Sequence, residues 1–201
     1  MAMTDAWPVH PWPGPLPRWG DDVLVISVAN GDVDVDGDVD DYGKGAARTQ
    51  ARARIRAAVR AALSLSLGIA IERIALHSSP GSAPRLSIDG WPSVPGVSIS
   101  HAGAISMAAI NPMGAIGLDV VQVRATSDWA RVAHDYLGMA VAIGLAALAE
   151  PERARAFAQA WAEREACLKL HGEMLAEWTP LPDCRVLALA LPAGLAGALA
   201  L

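Results

Sequence analysis

At 201 residues the chain is long enough for a sizeable core in one or two compact units. Hydrophobic residues make up 53% of it, and a net charge of −5 argues against a general nucleic-acid binder, which would be basic. Cys167 and Cys184 fit no metal-ligand spacing and no disulfide framework, so they read as reduced thiols of a cytoplasmic protein. The N-terminus carries Asp5 and several prolines instead of a basic region and an apolar run, so no signal peptide is expected. The longest apolar tract, 186–201, holds Pro192, Gly194 and Gly197 and is too short to span a membrane. It reads as a buried strand with a small-residue tail.

Residues 1–20, with their prolines and tryptophans, predict an extended arm with little regular structure, its tryptophans packed on the body. A β-rich run at 22–29 predicts a first strand. Asp32, Asp34, Asp36 and Gly37 match the opening of a calcium loop, but the twelfth position is Gly43, where a bidentate Glu is needed. A solvated acidic loop is the default there. From 46 to 67 the pattern is helical, with Ile55, Val59, Ala62 and Leu63 as its apolar stripe. Arg48, Arg52, Arg56 and Arg60 recur every fourth residue beside it. They make either a solvated face or a site for an anionic ligand, because guanidinium forks bind phosphate in bidentate fashion.

Residues 71–77, 85–88, 97–100 and 106–110 predict strands separated by Ser/Gly/Pro turns. His101 ends one of them; a lone His is commonly structural, yet it can donate to a phosphate oxygen near neutral pH. Asp119 falls inside the apolar strand predicted at 115–123. Buried and charged without a partner it would cost several kcal/mol, so it needs a metal, a base or a hydrogen-bond network. An amphipathic helix is predicted at 129–148 and another from Pro151, a favourable first helical residue. On that last helix Trp161, Glu165 and Lys169 share one face. They read either as a core Trp beside an exposed Glu–Lys pair or as part of a site. A final strand is predicted at 185–191.

Three stretches, in order, carry a family resemblance: Ser98-Ile-Ser100-His101, Gly117-Leu118-Asp119-Val120-Val121 and Trp161-Ala-Glu-Arg164-Glu165-Ala166-Cys-Leu-Lys169. Over roughly residues 46–191 the chain resembles the 4'-phosphopantetheinyl transferases of the monomeric, surfactin-synthetase-activating type. The resemblance implies an α+β fold, a pseudo-twofold pair of similar halves (here 1–112 and 113–201) with the active site in the cleft between them. It implies transfer of 4'-phosphopantetheine from coenzyme A to a serine of an acyl or peptidyl carrier protein, releasing 3',5'-ADP. The implied cofactor is magnesium, held by Asp119 and Glu165. Glu165, directly or through water, would accept the serine proton. Lys169 would bind the phosphates and stabilise the leaving group, and Trp161 would be structural. Ser100 and His101 would contact the coenzyme's phosphates. Arg48 would hold its 3'-phosphate, with Arg52 the second candidate. The implied protein is a cytoplasmic monomer of fatty-acid, polyketide or nonribosomal-peptide biosynthesis, with no nucleic-acid or membrane partner. Because carrier proteins are commonly acidic, a basic face around 48–60 or 153–155 is expected.

The chain departs from that pattern in three places. The phosphate-binding Lys is missing from the turn at 82–85, where Arg85 stands as its substitute. Val121 occupies the position of a third carboxylate. Arg164 replaces the usual Lys before Glu165, and its planar fork is not equivalent to an ammonium. The alternatives are a catalytically degenerate homologue that binds coenzyme A or a carrier protein without transfer, and an unrelated structural α+β domain.

Overall fold

The structure, a computed structural model, describes residues 6–20, 22–31, 41–78 (side chains from 45) and 82–201. The calcium-like opening at Asp32, Asp34, Asp36 and Gly37 lies outside the described residues. Helices and mostly antiparallel sheets make an α+β architecture in two compact units, Pro8–Ile116 and Gly117–Leu201, the latter together with the segment ending at Trp7. No helix among the described residues is long and apolar enough to cross a membrane.

In the first unit the strands β1 (His10–Trp12), β2 (Leu24–Ala29), β5 (Gly96–Ala102) and β6 (Ile105–Asn111) form one sheet in the order β1-β2-β6-β5. A separate hairpin pairs β3 (Ile74–His77) with β4 (Arg85–Ile88). Helix α1 (Asp41–Leu67) begins earlier than its apolar stripe predicts, but the stripe is the buried face: Ile55, Val59, Ala62 and Leu63 are each 0% exposed. They pack with Leu24, Ile26, Ala108 and Ile110 of the sheet, burial that drives this half of the fold. The N-terminal arm is more regular than expected. β1 runs parallel to β2, with His10 opposite Ile26, and Trp19 is buried in the core with its ring stacked on Trp91 at 5.2 Å. Residues 71–73 form a 3₁₀ turn, not strand, before β3.

In the second unit β7 (Gly117–Gln122), β9 (Leu195–Ala200) and β8 (Val186–Ala188) make a three-stranded sheet in the order β7-β9-β8. The predicted small-residue tail is therefore a strand, and the central one. Its Ala196, Gly197, Ala198 and Ala200 let helix α4 (Glu150–His171) lie close on the sheet, because the helix presents its own small stripe of Ala158, Ala162 and Ala166. Trp7 extends this unit by bridging to Leu189.

Two expectations fail in this unit. The single helix predicted at 129–148 is α2 (Trp129–Val132), a π turn (Ala133–Leu137) and α3 (Met139–Ala146). The break is Gly138, at φ +90°, a region open to glycine but not to side chains, and a Cβ there would strike Trp178 at 2.7 Å. Cys167 and Cys184 are not reduced thiols: they form a disulfide, their Cα atoms 6.4 Å apart. Two cysteines 17 positions apart show no framework in the sequence; the loop after α4 returns over the helix and brings them together.

Candidate active site

The second unit gathers Asp119, Glu165 and Lys169. Asp119 lies in the middle of β7, opposite Ala198, and is 6% exposed. Trp161, Glu165 and Lys169 fall one position before the residues Ala162, Ala166 and Leu170 of α4 and are half-buried. They run along the edge of the helix–sheet contact, where a polar head can meet the sheet without entering the core. Gly117 makes the approach possible. A Cβ there would come within 1.8 Å of the Ala166 carbonyl oxygen, so β7 and α4 can touch at this level only through glycine.

Lys169 is a partner of the kind that Asp119 requires. Its Nζ donates to Asp119 Oδ1 at 2.6 Å and to the Leu118 carbonyl at 3.1 Å. The exposed Glu–Lys helix pair is thus ruled out as the role of Lys169, which reaches across to the strand. Glu165 holds its proton more tightly than an ordinary carboxyl. Burial is the larger cause and the charge of Asp119 the next, with Lys169 and Arg164 opposing. Burial lowers the Arg164 guanidinium's proton affinity, against the pull of Glu173 and Glu165. Arg164 donates to the Thr179 carbonyl at 2.8 Å, so it fastens the loop after α4.

Asp119 and Glu165 bring two hard oxygen donors, and the charge of Asp119 makes Glu165 costlier to ionise. Among the described residues no three His, Cys, Asp or Glu side chains group as a cage. A pair of hard oxygen donors suits magnesium, which commonly takes one or two carboxylates and completes its octahedron with phosphate and water. Val121 shares the Asp119 face of β7 but belongs to an apolar cluster with Ala162, Ala166 and Cys184. A cavity of about 290 Å³ opens beside it, between Val121, Gln122, Arg124, Phe157 and Trp161.

The first unit holds the other predicted residues. Ser100 is buried and His101 half-buried in β5. His101 Nδ1 lies 2.7 Å from Ser106 Oγ on β6, and Ser106 donates to Asn30 Oδ1 at 2.7 Å. Asn30 and Ser106 were not expected; a two-residue turn at Gly103-Ala104 makes 101 and 106 cross-strand partners, and that hairpin register was the available signal. The arginine row of α1 divides. Arg56 donates to Ser78, and Arg60 donates to the carbonyls of Ile74 (2.8 Å) and Ile71 (3.1 Å), so both serve the fold. Arg48 and Arg52 are exposed on α1, and Arg85 on β4. Of the other basic stretch, Arg153 donates to the carbonyls of Leu145 and Leu148 and lies over the Trp129 ring, while Arg155 donates to Ala193.

No curated protein matches the chain. Residues 115–196, which include Asp119, Glu165 and Lys169, match the family model of the 4'-phosphopantetheinyl transferase superfamily.

Proposed function

We propose that the protein transfers 4'-phosphopantetheine from coenzyme A to a serine of an apo acyl or peptidyl carrier protein, acting as a monomer. The observation that carries this reading is the Asp119–Lys169 pair beside Glu165, lying wholly inside the stretch that matches the family model. In the reaction the serine oxygen attacks the phosphorus next to pantetheine. A new P–O bond forms, the bond to the bridging oxygen breaks, and 3',5'-ADP leaves.

Glu165 takes the serine proton, directly or through a water. Its raised proton affinity suits it to that task nearer neutral pH than an ordinary carboxylate would be. Asp119 and Glu165 would hold magnesium, which when bound supplies positive charge to the diphosphate oxygens. Lys169 is fixed by Asp119 and the Leu118 carbonyl, and it offers an ammonium to the phosphates and to the leaving oxygen. Ser100 and His101 contact the coenzyme's diphosphate, and Arg48, with Arg52 and Arg85, its outer phosphate.

The placement of Val121 in an apolar cluster favours one second reading, a homologue that binds coenzyme A or a carrier without transfer. Intact-mass measurement separates the two. The chain is incubated with apo carrier proteins, coenzyme A and magnesium, with a chelator control. A metal-dependent gain of one phosphopantetheine on the carrier is the expected result. No gain across several carriers, with coenzyme A still binding by calorimetry, favours the second reading; no gain and no binding overturns both.

A further inference from the structure

Two fully buried polar side chains, Asn30 and Ser106, take no part in the chemistry above. Burying them unpaired would be costly, so their hydrogen bonds must be accounted for. A serine hydroxyl has a single proton. Here it goes to Asn30 Oδ1 at 2.7 Å. Towards His101 Nδ1, also at 2.7 Å, Ser106 Oγ can then only accept, and Nδ1 must carry the proton. The amide of Asn30 is oriented from its other end: Nδ2 donates to the Gly103 carbonyl at 3.4 Å, which turns Oδ1 to Ser106. The Asn30 backbone is held as well, its N–H donating to the Ala104 carbonyl at 2.8 Å and its carbonyl accepting from Arg54 of α1. The end of β2, the β5–β6 turn, both strands of that hairpin and α1 thus converge on one serine hydroxyl.

We infer that Ser106 and Asn30 are positioning residues that lock His101 as its Nδ1–H tautomer, leaving Nε2 as the nitrogen that gains and loses the proton offered to a phosphate ligand. The tautomer lock stands on this geometry alone; the identity of the ligand rests on the transferase reading. A neutral ring of the opposite tautomer would present a donor in every state at Nε2. The locked ring donates there only when protonated, so its contact with phosphate is tied to the proton.

The test uses the full chain with 15N-labelled histidine. Long-range 1H–15N correlation on the neutral ring reads which nitrogen of His101 bears the proton. His101→Gln assigns the signal among the five histidines. The expected result is Nδ1–H in the unmutated protein, loss of that preference in Ser106→Ala, and its return in Ser106→Thr, which restores the hydroxyl. Nε2–H in the unmutated protein overturns the inference, and so needs no variant to fold. Coenzyme A binding by calorimetry is the second readout. The locked ring loses its Nε2 donor once it is neutral, so binding should weaken as the pH rises through neutrality; Ser106→Ala should blunt that fall and Ser106→Thr restore it. The same fall with pH in Ser106→Ala, with the tautomer altered, overturns the positioning role. Nδ1–H in a protein that does not bind coenzyme A supports the lock and overturns the ligand reading instead.

Discussion

Asp119 shows how far one residue can be read. A carboxylate in the middle of an apolar strand demands a partner on grounds of desolvation alone. The structure supplies Lys169, 50 positions away. Glu165 makes a different bargain. Its folded proton affinity is raised above the ordinary value of 4.5, so between that value and the higher folded one the native state holds more protons than the unfolded state. Stability therefore falls as pH rises through that window, and at neutral pH the ionised Glu165 destabilises the metal-free protein. Glu165→Gln should raise the melting temperature of the metal-free chain at pH 7, with the difference vanishing in melts taken below pH 4. The same variant should lose transfer activity by about 10²-fold or more if the carboxylate is the base. A neutral-pH melt no higher than the unmutated protein's would show that the carboxyl is not strained by burial and by Asp119.

At the scale of elements, the contact between β7 and α4 sets the site. Small residues on both surfaces bring the two together, and Gly117 is where they touch. Gly117→Ala should cost at least about 1–3 kcal/mol, as overpacking does, and should lower activity beyond that loss by pushing Glu165 and Lys169 away from Asp119. Denaturant midpoints with activity at matched folded fraction would check both. The Cys167–Cys184 bond ties the loop after α4 to the same helix face. Closing a loop of that length stabilises by about 3 kcal/mol in the chain-entropy account. Reduction, or Cys184→Ser, should lower unfolding free energy by that order in urea titrations; no change would mean the loop is held by Arg164 and its packing alone. The break at Gly138 was not legible in the apolar pattern of 129–148, because the periodicity continues through it. The glycine's backbone, pressed against Trp178, decides the matter.

For the whole molecule, ligands that bind only the folded state raise its stability by mass action. Coenzyme A with magnesium at a hundred times the dissociation constant should add about 2.7 kcal/mol, seen as a rise in melting temperature that Asp119→Ala diminishes. A melting temperature indifferent to both would weigh against the proposed site. What the sequence alone determined was local. The apolar stripe of α1, the start of α4 at its proline, most strands of the first unit and the face shared by Trp161, Glu165 and Lys169 follow from short-range periodicity. Asp119 was legible because burial of charge is costly wherever it occurs. Tertiary structure decided what depends on partners distant in sequence. It placed the small-residue tail as a central strand, joined the cysteines, sent Lys169 to Asp119 instead of solvent, and divided the α1 arginines between partners within the fold and an exposed face. Hydrogen bonds and close approaches have short range in space but no fixed range along the chain, and only the folded path brings their members within reach.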